Sequence, residues 1–344
     1  MTLADAVAIV LFFGITAYAI FGGADFGAGF WDLIAGGAKR GERPRALIDH
    51  SIGPVWEANH VWLIFCLVVL WTAFSEAFAS ITLTLFVPLT LAAFGIVLRG
   101  SSFAFRKAVF RTSDRRNFGA AFASSSVLVP YCMGAVAGAI ASGRVPAGGK
   151  VGDPWSSWFN PTSIVGGILA VTVCAYLSAV YLTWDAKRLD DGPMEAYFRR
   201  RAIGSGVVAG VVAFVGIFVF KSDSSYLFDG LTSRALPLVI LSGLCGVGSL
   251  VLLVRRSQHG ARLASVGAVV SVVIGWGVAQ WPYILPESLE VSQAAAPSGT
   301  LEAVLVVFAL AAVTILPALA LLYVLDQKSL LPGEGIDTPP SSPN

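Results

Sequence analysis

The sequence predicts an all-α integral membrane protein of nine transmembrane helices. Three observations carry that expectation. The chain is 56% hydrophobic and only 13% charged, where a soluble domain carries about 25% charged residues. Its apolar residues fall into nine runs, each near the roughly 20 residues a helix needs to cross the hydrocarbon layer. Its basic residues are sorted between alternate loops, as cytoplasmic and external loops are. A net charge of +2 and the lack of any long basic run give no basis for nucleic-acid binding.

The elements follow in chain order. Span one, 3–34, is preceded by no basic segment and no AxA-like site, so it reads as a retained membrane helix and not a removable signal peptide. Spans two and three, 54–75 and 77–98, are divided by a short turn at Ser75–Glu76. Fused into one helix, they would be about twice as long as a bilayer requires. The remaining spans are 118–142, 161–184, 202–220, 235–254, 263–281 and 303–325. Residues 1–325 thus form one polytopic membrane domain, with loops too short for a soluble one. The segment 326–344, rich in Pro, Ser and Gly, is expected to be a disordered cytoplasmic tail. Trp31-Asp32 near the end of span one is echoed by Trp184-Asp185 at the end of span five. Two four-helix bundles, about 1–142 and 161–281, with helix 303–325 at the periphery would give that symmetry, although chance also produces a dipeptide match.

Orientation follows from the basic residues. Lys39, Arg40, Arg43 and Arg45 fall in loop one, and Arg99, Arg106, Lys107, Arg111, Arg115 and Arg116 in loop three. Loop five holds Lys187, Arg188, Arg199, Arg200 and Arg201, loop seven Arg255, Arg256 and Arg262, and the tail Lys328. Of the 23 Lys and Arg, only Arg144, Lys150, Lys221 and Arg234 fall on the other side. The N-terminus is therefore expected outside and the C-terminus in the cytoplasm. On this placement no Lys or Arg lies within a span.

An ionised carboxylate at the centre of a membrane helix costs about 2.5–3.5 kcal/mol, so acids in the spans are the first candidates for chemistry. The stretch "FGGADFGAGFWDL" puts Asp25 and Asp32 in the last third of span one. Pro54 suits the first position of the second helix. Glu57 then lies in its first turn, where the helix dipole favours an anion. Consecutive helices are usually neighbours, which gathers the three acids on the cytoplasmic side. Asp25 and Glu57, deeper in their helices, are the candidates for a proton-entry path of half-buried carboxyls with raised pKa. Asp32, close to the interface, better fits a cap or an ion pair with the basic first loop, and Glu76 a solvated turn. Gly23-xxx-Gly27 has the spacing that lets helix backbones approach, which would hold Asp25 against a neighbouring helix.

Metal chemistry finds little support. Glu57-x-x-His60 is half of a di-iron carboxylate pattern, but only His50, His60 and His259 exist and no second ExxH occurs. His50 and His259 lie in loops, which leaves no pair for a haem within the spans. Cys66, Cys132, Cys174 and Cys245 each sit in an apolar stretch without metal spacing and read as buried free thiols. The chain alone is expected to hold no metal and no cofactor. Trp56 fits either an interfacial aromatic belt or contact with a flat lipid-soluble cofactor or a partner.

"GADFGAGF" followed by "SIGPVWEANHVWLI" resembles subunit II of the cytochrome bd-type quinol oxidases, including the cyanide-insensitive branch. The resemblance implies a subunit of an enzyme in the bacterial plasma membrane, not catalytic alone. Subunit I would carry the haems, b and d, and the quinol site, and this chain would be its haem-free, pseudo-symmetric partner. The complex would oxidise quinol and reduce O2 to water with protons taken from the cytoplasm. A small accessory subunit, membrane lipid and a bound quinone are further partners compatible with it. Glu57 stands at the family's proton-uptake acid, where many members have Asp. Asp25 stands at its acid in the Gly-rich end of span one. Trp56 matches a position near a structural quinone, and Trp62 one near an oxygen route. His60 stands where Gln is common, which argues against a ligand role; with Asn59 it would supply hydrogen bonds or hold water beside Glu57. The competing readings are a secondary transporter, which would call for inverted repeats and broken helices, and a purely scaffolding paralogue.

Overall fold

The structure, a computed structural model, describes residues 2–52, 56–108 and 112–327, without the side chains of 38, 52–57, 103–118, 323, 326 and 327. The predicted tail 326–344 lies outside this range except for residues 326 and 327, which end the last helix. Helix α1 (Leu3–Leu33) opens on a capping box: Thr2 Oγ1 accepts from Asp5 N at 3.2 Å, and Asp5 Oδ2 accepts from Thr2 N at 2.7 Å, which satisfies two otherwise orphaned donors. The first loop, expected without a helix of its own, folds as α2 (Ala38–Ile52). Next come α3 (Trp56–Ala73), α4 (Ser75–Thr84), α5 (Phe86–Ala108) and α6 (Thr112–Ala141). Helix α7 (Pro161–Arg188) starts with Pro161 behind an Asn160 cap, whose Oδ1 accepts from Ser163 N at 2.9 Å. The second half continues with α8 (Gly192–Asp223), α9 (Ser225–Thr232), α10 (Leu236–Val254) and α11 (Gln258–Gln280). It ends with a small hairpin of β1 (Tyr283–Leu285) and β2 (Leu289–Glu290), the single-turn α12 (Val291–Ala294) and α13 (Ser298–Gln327).

Among the described residues seven helices are long and apolar enough to cross a membrane, or eight if a bent pair counts as one span. The expected nine differ from this in one region only, 56–108. The turn read at Ser75–Glu76 is a break at Phe74, where the axes of α3 and α4 bend by 118°. A second break, at Leu85, was not anticipated, and the third apolar run starts at Phe86 instead of residue 77. Its cause is Pro88. Proline has no N–H for the Thr84 carbonyl and clashes with a continuing helix, whereas in a first turn its missing donor costs nothing.

Helix α1 is the centre of the packing. It lies against α3, α6, α7 and α11, while α6 joins α5 to α7 and α8 covers α7. Where α1 meets α7 the backbones touch: a Cβ on Gly27 would stand 1.9 Å from the Cys174 carbonyl oxygen. Gly134 faces the Gly166 carbonyl in the same way between α6 and α7. The small-xxx-small stripe in α1 therefore marks a real close approach, and it keeps Asp25 away from lipid. One end of the molecule is a cap of loops. Ala296 N donates to the Ala73 carbonyl (2.8 Å), Gly148 N to Glu76 Oε1 (2.9 Å) and Gly152 N to Thr84 Oγ1 (3.1 Å). Ala4 and Val7, at the start of α1, share a core with Phe74, Leu285 and Ala294 there. Glu76 is exposed, as expected, but it ties down the 142–160 loop. Helices α8 and α10 bury little of their apolar length, and the most apolar part of α13, which lies against α1 and α3, buries none.

Candidate functional site

Asp25, on α1, is completely enclosed and faces Arg99 of α5. Arg99 Nη2 donates to Asp25 Oδ1 at 2.7 Å and to the Asp25 carbonyl at 2.9 Å, and both side chains are 1% exposed. Nη1 donates to Ser126 Oγ of α6, so one guanidinium joins three helices. Its Cζ lies 4.3 Å from the Phe122 ring centroid and 5.0 Å from that of Phe26. Such contacts stabilise a desolvated guanidinium more readily than an ammonium. Room is made by Gly29, where a Cβ would stand 2.0 Å from Ser126 Oγ and 2.9 Å from Arg99 Nη1. Two expectations are corrected here. Arg99 is not a loop residue, since the apolar part of α5 runs on to Ser102. Nor is every Lys and Arg clear of the packed helices, since Arg99 is 1% exposed within α5. A long side chain at the end of an apolar run usually reaches for the interface; this one turns inward because Asp25 is there to neutralise it.

The ion pair leaves polar edges open. Asp25 Oδ2 and Arg99 Nε are buried with no partner among the described residues, as are Tyr18 Oη and His60 Nδ1. These groups are neighbours. The His60 ring is 6.3 Å from that of Tyr18 and 5.7 Å from that of Phe26, and Tyr18 is 6.4 Å from Phe26. Tyr18 stands two turns from Asp25 along α1. Buried polar atoms without a protein partner are the places where bound water is found. His60 and the buried Asn59 are in the first turns of α3. Glu57 and Trp56 open the same helix, and their side chains lie outside the described residues.

Asp32 takes the structural role. Arg45 folds back from α2, its Nε 2.6 Å from Asp32 Oδ1 and its Nη2 2.6 Å from the Gly36 carbonyl. Gly36 turns the chain there with φ +101°. The preceding Trp31 donates Nε1 to the Ala175 carbonyl at 2.8 Å. In the second half Asp185 is 4.0 Å from Arg188, and Trp184 lies beside His259.

Trp62 is buried among Phe13, Phe21 and Phe65, at centroid distances of 5.6, 6.4 and 6.3 Å. Beside it is a crevice of about 50 Å³ closed by Phe308 and Leu316 of α13. Among the described residues no three His, Cys, Asp or Glu side chains are grouped to hold a metal ion, and the four cysteines are free thiols.

The comparisons decide between the classes. The family profile described as "Cytochrome bd terminal oxidase subunit II" matches residues 3–326. The chain belongs to that family. The cytochrome bd ubiquinol oxidase subunit 2 of Bacillus subtilis (strain 168) is 26% identical over 304 residues, which cover 86% of each chain. A chain of the bd oxidase from Geobacillus thermodenitrificans superposes with a TM-score of 0.79 at 23% identity, over 94% of this chain and 98% of that one, a likeness of fold. As a bd oxidase subunit II, the protein is a multi-pass membrane component of a respiratory electron-transport oxidoreductase that works in complex with subunit I.

Proposed function

We propose that this chain is the haem-free subunit II of a quinol:O2 oxidoreductase in a bacterial plasma membrane and that it admits protons for O2 reduction through Glu57 and Asp25. The observation that carries the proton role is the enclosed Asp25–Arg99 pair with its open edge. Arg99 occupies Oδ1 and leaves Oδ2 to accept from water. Held together, the two charges are neutral overall, so a proton passing along the adjoining water meets no isolated charge. His60 Nδ1 and Tyr18 Oη give that water further partners, leading inward from the end of α3 that carries Glu57. The haems of subunit I would supply the electron transfer to O2; the residues here would only deliver protons.

The reading includes nine spans, with the N-terminus outside and the C-terminus in the cytoplasm. Helices α3 and α5 both cross, and α4 links them at the outer face. In support, the far end of α3 is bonded to the same cap of loops as the start of α1, and the start of α5 packs against that core through Val87 and Leu89, while Arg99 sits near the opposite end of α5. The eighteen residues of α3 rise about 27 Å, close to the roughly 30 Å of hydrocarbon. Pairings of α1 with α3 and α5 with α6, and of α7 with α8 and α10 with α11, support two four-helix bundles with α13 outside them.

Replacing Glu57 by Gln in the assembled oxidase tests the proton role. The complex should form with its haems while quinol-driven O2 uptake slows by roughly 100-fold, the scale of a lost proton-transfer group. Undiminished turnover in an assembled Glu57→Gln complex would leave the chain a scaffold.

A further inference from the structure

Away from the proton path, a cavity of about 300 Å³ opens between α1, α7 and α8, walled by Phe30, Trp31, Ile34, Val171, Val208 and Arg201. It combines two chemistries. Its wall is apolar, and the hydroxyls that border it are engaged within their own helices: Thr172 Oγ1 donates to the Ile168 carbonyl at 2.9 Å and Ser205 Oγ to the Arg201 carbonyl at 2.7 Å. Arg201 is the exception. Its guanidinium lies 3.3 Å from the centroid of the Tyr197 ring and gives one bond to the Tyr197 carbonyl, at 3.2 Å. Among the described residues no carboxylate lies within ion-pair distance of it. The acids of the neighbourhood are already paired, Asp32 with Arg45 and Asp191 with Arg43.

The depth of Arg201 fixes what can answer that charge. Twenty-two residues of unbroken α8 separate it from Asp223, a rise of about 33 Å against a hydrocarbon layer of about 30 Å. Asp223 pairs with Arg144 at 2.7 Å at the far end. Arg201 therefore stands at the level of the lipid headgroups, on the side of the basic loops, with an apolar cavity beside it.

We propose that this cavity is a binding site for one anionic phospholipid, its phosphate against Arg201 and an acyl chain between α1, α7 and α8. Basic pockets between membrane helices bind anionic headgroups in this way. A neutral quinone would fill the cavity and leave the charge unanswered. A free phosphate would answer the charge and leave the cavity open.

The test is retention of lipid by the purified two-subunit oxidase, read by native mass spectrometry after exchange into detergent with added phosphatidylglycerol or phosphatidylcholine. Two substitutions separate the two chemistries. Arg201→Gln removes the charge. Gly204→Leu fills the cavity from α8, where a Cβ would meet nothing within 4 Å. The wild type should retain one phosphatidylglycerol that phosphatidylcholine does not replace. Arg201→Gln should hold it about five-fold more weakly, the effect of one basic residue at an anionic surface, and Gly204→Leu should lose it. Equal retention by the wild type and both variants overturns the proposal. So does displacement by millimolar inorganic phosphate with Gly204→Leu still loaded, which would mark a small-anion site. Neither result bears on Glu57, so this inference and the proton path fail separately.

Discussion

Arg99 gives the sharpest prediction at the scale of single residues. Removing one partner of a buried ion pair strands the other charge, at a cost of about 3–5 kcal/mol. Arg99→Leu should therefore lower the stability of the purified complex by that order, read as a fall in its unfolding midpoint. Combining it with Asp25→Leu should restore much of the loss, because apolar side chains replace a buried pair at little cost. Equal destabilisation by the double and single variants would show that the guanidinium acts through Ser126 and the aromatic rings instead. Asp25 was legible in the sequence because a carboxylate inside an apolar run is conspicuous. Arg99 was not, because the apolar run ends at Leu98 and a cation one residue later looks like the start of a basic loop. The available signal was indirect: Asp25 needs a cation, and Arg99 is one of four, with Arg201, Arg255 and Arg262, that directly adjoin an apolar run at that face. Asp32 was read correctly as a partner of the first loop from its distance to the interface alone.

Among the helices, the close contact between α1 and α7 can be tested against a site with room. At Gly27 an added methyl group would overlap the backbone of α7, so Gly27→Ala should push the helices apart and cost about 1–3 kcal/mol, as overpacking does. At Gly210 on α8 a Cβ meets nothing within 4 Å. Gly210→Ala should be neutral or stabilise by up to about 1 kcal/mol through helix propensity. Thermal unfolding of the two variants side by side checks both, and equal midpoints would refute the contact. The glycine spacing told in advance that α1 would approach a neighbour closely, but not which one, since spacing carries no information about the facing helix. The break at Leu85 was legible in principle from Pro88. It was hidden because apolar residues continue through it, and hydropathy does not register a missing N–H.

For the whole molecule, the number of crossings depends on α5. Helix α5 runs over 23 residues, Phe86–Ala108, and Arg99 lies inside it, so hydropathy alone understates it. The loop cap argues the other way. The start of α5 follows Thr84, which accepts from Gly152 N. At its other end Arg99 reaches Asp25 and Ser126, near the ends of α1 and α6 that lead to the basic loops. On the proposed nine-span reading, a helix held at one end by the loop cap and at the other by the basic side crosses the layer. The two counts differ in one observable. With α1, α3, α5 and α6 all crossing, the N-terminus and the loop around Gly148 lie on the same face. If α3 and α4 made one bent span and α5 did not cross, they would lie on opposite faces. Epitope tags at the N-terminus and at Gly148, probed with an impermeant reagent on intact and opened cells, separate the cases. Nine spans predict that both are reached from outside the intact cell, while a tag after Gln327 is reached only once the cell is opened. A Gly148 tag protected in the intact cell would remove α5 from the membrane, and the cytoplasmic placement of Asp25 and Glu57 would then have to be argued afresh.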